Sequence, residues 1–215
     1  MPVLRALCAG GHAPAVVYTA PDRPTGRGRE LRASPVKRAA TDLGLDLHQP
    51  PGWREGAAPA HLAAMATDLL VVTDYGFILP GAVLALPRFG AVNVHGSALP
   101  RWRGAAPVAR ALLAGDSATG VCVIVMDAGV DTGPVLACEA TPIVAGETAG
   151  TLEDRLAQMG AALLVRVLAA GPAALATATA QPAQGACYAA KLRPADARLD
   201  WRRPAAELAH QVRGL

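Results

Sequence analysis

"DLLVVTDYGFILPGAVLALPRFGAVNVHGSALPRWRGAAP", residues 68–107, is the stretch that sets the fold. Its opening "DLLVVTD" (68–74) is a continuous apolar run between polar residues, as expected of a short strand buried on both faces. "GAVLAL" (81–86) is one helical turn, and "FGAVNVH" (89–95) is the next strand. Side chains alternate along a strand, so Asn93 and His95 share one face, roughly 6–7 Å apart. They lie at the strand's carboxyl end, which is where ligands bind in open α/β sheets.

Working outward, the same alternation of strands and helices continues. A helix begins at Pro2, and "AVVYT" (15–19) is a strand. "PDRPTGRGRELRASP" (21–35), with three prolines and two glycines, is expected to be a long loop. "SPVKRAATDLG" (34–44) is a helix with Ser34 as N-cap, Pro35 at the first position and Gly44 past its end. Downstream, "APVARALLAGD" (106–116) is a helix. "TGVCVIVMD" (119–127) and "GPVLACEATPI" (133–143) are strands around the turn "AGVDT". "TLEDRLAQMGAALLVRVLAA" (151–170) is an amphipathic helix with Thr151 as the expected N-cap. The Ala-, Pro- and Thr-rich run 171–184 is expected to be loop, and the chain ends in a further amphipathic helix. This order predicts an α/β fold with a Rossmann-like, mostly parallel sheet flanked by helices.

Bulk properties narrow the class. The chain has 215 residues, of which 52% are hydrophobic, with a mean hydropathy of +0.29. Much of that is alanine, and charge interrupts the apolar runs before they reach bilayer length. The apolar part of the N-terminus is too short for a signal peptide, so a cytoplasmic protein without a membrane partner is expected. Cys8, Cys122, Cys138 and Cys187 form no CxxC pair, so reduced thiols and no metal site are expected. The net charge of +3 is modest. It is concentrated, however, in Arg23, Arg27, Arg29, Arg32, Lys37 and Arg38.

Asn93 and His95 need partners if buried. Asp131 is a candidate, because the next strand can return to the same edge of the sheet and bring the "MDAGVDTGP" loop beside His95. The three suit acyl transfer between nitrogens. The carboxylate orients the imidazole, the amide donates where an oxyanion develops, and a group titrating near neutrality moves the amine proton. Plain structural roles stay open at this point. His95 can be a satisfied core histidine, Asn93 a turn former, Asp131 the cap of its own turn through an Asx bond, and the arginine loop a solvated surface.

"PDRPTGRGRELRASPVK", "NVHGSALPRWRGAAP" and "MDAGVDTGPVL", in this order and spacing, together resemble the methionyl-tRNA formyltransferase family. "ILP" at 78–80, "GTLEDRLAQMGAALL" and the late "YAAKL" and "ARLDW" fit it too. The resemblance implies formyl transfer from 10-formyltetrahydrofolate to the α-amine of methionyl-tRNA in translation initiation, by a monomer that needs no metal. It implies Asn93, His95 and Asp131 as the catalytic trio. The formyl donor would be held by Tyr75, Gly76, Ile78, Leu79, Ser97 and Pro100. Arg23, Arg27, Arg29, Arg32, Arg101 and Arg103 would meet tRNA.

Against the family pattern, the sheet is expected to lack its first strand, together with a Gly-Thr-Pro loop ahead of Pro2. Residues 1–190 would be an incomplete catalytic domain, and residues 191–215 the start of a linker toward an absent β-barrel. Asp74 replaces a usually small residue and alters the expected folate pocket. An N-formyltransferase of amino-sugar nucleotides, a formyl-folate hydrolase and an inactive tRNA-binding fragment are the alternative functions.

Overall fold

Strands and helices alternate through the computed structural model, which describes residues 1–25, 30–54 and 56–215. The chain forms two units, Met1–Asn93 and Val94–Leu215.

In the first unit, helix α1 (Pro2–Ala9) starts with proline at a position that needs no amide donor. Its buried residues Val3, Leu4 and Leu7 form one apolar stripe. Leu4 meets Val17, Ala39 and Ala40 in a small core edged by Met1, Val36, Leu45 and Leu47. Strand β1 (Val17–Tyr18) pairs in parallel with β4 (Leu47–His48). Helix α2 (Pro35–Asp42) connects them and is capped as expected, with the Lys37 N–H donating to Ser34 Oγ at 3.0 Å.

The expected long loop is corrected. It carries an antiparallel hairpin, β2 (Arg23–Thr25) with β3 (Glu30–Arg32), because extended backbone on either side of the loop tip can satisfy its own N–H and C=O groups across the pair. Helix α3 (Ala57–Ala64), strand β5 (Leu70–Thr73), helix α4 (Gly81–Leu84) and strand β6 (Ala91–His95) follow. β5 is not buried on both faces. Each of its four residues is half-buried, because β5 is an end strand with β6 as its one neighbour.

The second unit begins within β6. Short β7 (Arg103–Gly104) pairs in parallel with β10 (Tyr188–Ala189). Gly104 has φ +108°, and a Cβ there would lie 2.6 Å from the Tyr188 ring, so both backbone and space require glycine. Helix α5 (Pro107–Leu113) precedes the longest strands, β8 (Ala118–Val125) and β9 (Val135–Pro142), which pair antiparallel. That register sets Cys122 opposite Cys138, and the two form a disulfide. Reduced thiols therefore hold for Cys8 and Cys187 and not for this pair. Sequence spacing could not reveal a contact made only by strand register.

Helix α6 (Ala149–Ala169) turns Leu152, Leu156, Gly160, Leu163 and Leu164 inward. Its N-cap is Thr148, not Thr151. The two threonines form a reciprocal box, Thr151 N–H to Thr148 Oγ1 and Thr148 N–H to Thr151 Oγ1, so the helix starts one turn earlier than expected. At Gly160 a Cβ would approach Val94 at 2.6 Å and Val121 at 2.9 Å, so glycine lets α6 lie close to the strands beneath it. Run 171–184 holds a short helix, α7 (Pro172–Leu175). Residues 191–215 contain a 3₁₀ turn (Pro194–Ala197) and helix α8 (Ala205–Arg213). α8 is held by Gln211, whose amide donates to the carbonyls of Asp196 (2.7 Å) and Arg198 (3.0 Å).

The fold is thus α/β and helix-flanked, as expected. Among the described residues, no helix is long and apolar enough to cross a membrane. The packing of α5 on α6 makes a stability test. Leu156 is 2% exposed among Val108, Leu112 and Leu152. Leu156→Ala should destabilise the fold by about 2–5 kcal/mol. Val144→Ala, at an exposed position, should stay within about 0.5 kcal/mol. Urea denaturation followed by circular dichroism compares the two.

Candidate active site

β6 alternates Val92 and Val94 with Asn93 and His95, which places the polar pair on one side of the strand. Both are buried, Asn93 at 9% and His95 at 5% exposure. The strand after the 127–133 turn, β9, lies on the far side of β8 from β6, and it is the β8–β9 loop itself that reaches the histidine, with His95 Nδ1 3.5 Å from Asp131 Oδ2. On its other side, His95 Nε2 is 2.8 Å from the Trp102 carbonyl oxygen. A carbonyl only accepts, so Nε2 carries a proton. The ring thus stands between the Trp102 carbonyl and the Asp131 carboxylate.

The carboxylate of Asp131 is fixed from behind. Its Oδ2 accepts the Gly104 N–H at 2.9 Å, the backbone that β7–β10 pairing holds in place. Its backbone is left-handed, φ +53°, and its carbonyl accepts the Gln181 side-chain amide at 2.9 Å. That amide also donates to the Gly133 carbonyl at 2.7 Å, while Gln181 Oε1 accepts Arg103 Nε at 2.9 Å. Gln181 was missed from the sequence. It lies in a run of Ala, Pro and Thr that also holds Gln184, so a long amide side chain alone does not single it out. The Asx turn belongs to Asp127, which accepts the Gly129 N–H (3.0 Å) and the Thr132 hydroxyl (2.7 Å). Asp131 is thereby left to face the histidine.

Other expected site residues have varied surroundings. Ser97 is fully buried, and its hydroxyl donates to the Arg101 carbonyl at 2.7 Å, tying down the loop after β6. Pro100 lies in the same loop. Arg101 makes a two-pronged pair with Asp116 (2.8 and 2.7 Å) and stacks on Trp102 at 4.4 Å. Burial works to raise the Asp116 carboxyl, but hydrogen bonds from Arg101 and Trp102 hold it below its ordinary value.

In the first unit, Tyr75, Gly76, Ile78 and Leu79 follow β5. Tyr75 Oη accepts Trp53 Nε1 at 2.7 Å, and burial pushes its phenol up. Leu79 is buried and Ile78 is 83% exposed. Asp74 has left-handed backbone, φ +44°. Gly76 and Phe77 line a cavity of about 490 Å³ with Asp22, Arg23, Arg32 and Arg38. Arg23 and Arg32 sit directly opposite one another in the hairpin register. Like charges in that position repel; Arg32 pairs with Glu30 at 3.6 Å, and Arg23 lies over the Phe77 ring at 6.0 Å. Arg27 and Arg29 lie outside the described residues.

The formyl transferase family model matches residues 2–168. The chain belongs to the formyl transferase family, a family of one-carbon transferases. Within it, a methionyl-tRNA formyltransferase of Ruegeria pomeroyi is 53% identical over 215 residues, spanning 100% of this chain and 71% of its own length. One from Halorhodospira halophila is 55% identical, spanning 100% of this chain and 69% of its own length. Among solved structures, a sugar 3N-formyl transferase crystallised with dTDP and 5-N-formyl-THF superimposes with TM-score 0.70 at 14% identity. The match covers 99% of this chain and 74% of that one. Glycinamide ribonucleotide transformylase 1 of Symbiobacterium toebii gives TM-score 0.61 at 25% identity, covering 79% and 82%. The sugar enzyme shares the fold alone.

Proposed function

We propose that the protein transfers a formyl group from 10-formyltetrahydrofolate to the α-amine of methionine carried by initiator tRNA, in the cytoplasm. The buried His95–Asp131 pair carries this reading, with 53% identity to a methionyl-tRNA formyltransferase along the whole chain as its context.

The attacking amine nitrogen bonds to the formyl carbon, and the carbon's bond to the folate N10 breaks. One proton leaves the amine and one reaches N10, so a group that accepts and returns a proton serves both. His95 is that group, with Nε2 exchanging the Trp102 carbonyl for the reacting atoms. Asp131 orients the ring and balances its charge. Asn93, two residues earlier on the same strand, donates to the oxyanion that forms on the formyl oxygen. The segment from Tyr75 to Leu79 is the part of the first unit that meets the formyl donor. Arg23 and Arg32, with Arg27 and Arg29 of the same sequence motif, meet the acceptor end of the tRNA. Guanidinium groups pair there with phosphates and stack on unpaired bases.

The test is formylation of methionyl-tRNA against an amino-sugar nucleotide as rival acceptor. Turnover with the tRNA alone is expected, and turnover with the sugar alone would overturn the reading. In the same assay, Arg23→Ala with Arg32→Ala should raise KM for tRNA about tenfold or more and leave KM for the folate within about twofold. The wild-type salt dependence of tRNA use should become shallower. Equal effects on both substrates would remove these arginines from the tRNA site.

A further inference from the structure

A cluster in the first unit stands apart from every residue assigned above. Asp46 immediately precedes β4 and His48 ends it, two residues apart, so backbone that stays extended sends both to one side. His61, in the last turn of α3, meets them there. One ligand atom of each lies within 4.8 Å of the others. The two imidazole rings stack at 4.1 Å with an interplanar angle of 28°, and His48 Nε2 is 3.2 Å from Asp46 Oδ2.

We propose that Asp46, His48 and His61 form a binding site for a divalent transition metal of the zinc class. Two imidazoles and a carboxylate are a donor set for Zn²⁺, Co²⁺ or Ni²⁺, and three protein ligands leave a fourth position for water. Bonds of about 2.0–2.2 Å in a tetrahedron set ligand atoms about 3.3–3.5 Å apart. The cluster therefore has to close by little more than an ångström. Asp46 and His48 have 56% and 40% exposed side chains, which leaves them room to rotate, and the His48 ring has to turn out of its stack on His61 for the two lone pairs to converge.

The support behind the cluster is already built. Tyr18 Oη lies 2.6 Å from His61 Nδ1. A metal-ligating histidine commonly gives its other N–H to such an acceptor. With Nδ1–H donated to Tyr18, the lone pair of His61 sits on Nε2, free for the metal. Tyr18 is itself held edge-on by Trp53 at 4.9 Å, and Trp53 is 3% exposed. A bound ion would tie the end of β4 to α3.

The experiment uses the 215-residue protein stripped with chelator, titrated with Zn²⁺ by calorimetry and with Co²⁺ by visible absorption. Trp53 fluorescence provides a local probe. Saturable binding of one ion per chain, tetrahedral Co²⁺ bands and quenching by Co²⁺ are expected. His48→Gln and Asp46→Asn should each weaken binding about tenfold or more. Both replace exposed or half-exposed groups, and circular dichroism checks their folding. His12→Gln, outside the cluster, should bind as the wild type does. Absence of saturable binding, or binding that survives in His48→Gln and Asp46→Asn alike, would overturn the site.

Discussion

His95→Ala should lower kcat for formyl transfer by about 10²–10⁴-fold, the range that a positioned proton-transfer group supplies. The ring is 5% exposed and meets acceptors on both sides, Asp131 at 3.5 Å and the Trp102 carbonyl at 2.8 Å. Removing the ring also leaves the Trp102 carbonyl and the Asp131 carboxylate short of a donor, at a cost of about 1–3 kcal/mol. Stability and turnover must therefore be measured on the same preparation. His95→Gln separates them, since it keeps polar atoms in the space and lacks the titrating group. Loss of kcat in both variants, with KM for the folate little changed and a cooperative unfolding transition retained, is the expected pattern. Turnover within tenfold of wild type in either variant would remove His95 from the chemistry.

Asp131→Asn should lower kcat by about 10²-fold or more while barely altering stability. Asparagine is the same size, and its carbonyl oxygen can still accept the Gly104 N–H that Asp131 Oδ2 accepts at 2.9 Å. The main chain stays held by Gln181. What disappears is the negative charge beside His95, because the oxygen that accepts the Gly104 N–H is the one that faces Nδ1 and is kept. A fall in kcat at an unchanged unfolding midpoint is therefore expected in this variant. A kcat within tenfold of wild type would point to a purely structural carboxylate. Gln181→Ala gives a graded comparison. It removes the two hydrogen bonds that hold the 131–133 backbone and should lower turnover by less than Asp131→Asn does.

Much of this site was legible in the sequence, and the reasons differ by residue. Period-two alternation put Asn93 and His95 on one face with no tertiary information. A turn between two apolar runs of similar length pointed to a returning strand, and with it to Asp131. Ser34 and Pro35 marked a helix start through local hydrogen bonding, which the backbone obeys wherever the helix lies. The misplaced start of α6 shows the limit of such signals. Thr148 and Thr151 are both capable caps, and the side chains that meet across the first turn decided between them.

By itself the sequence determined the order of elements, the α/β class, the family and the polar pair on β6, because each depends on neighbours a few residues away or on motif spacing. Tertiary structure alone decided which distant groups meet. Gln181 reaches the Asp131 loop from 50 residues along the chain. Asp116 occupies the guanidinium of Arg101. Strand register sets Cys122 against Cys138, and β4 with α3 gathers Asp46, His48 and His61. The physical reason is common to all four. A side chain's partners are fixed by packing and register in three dimensions, and residues brought together from separate elements leave no periodic trace in the chain that encodes them.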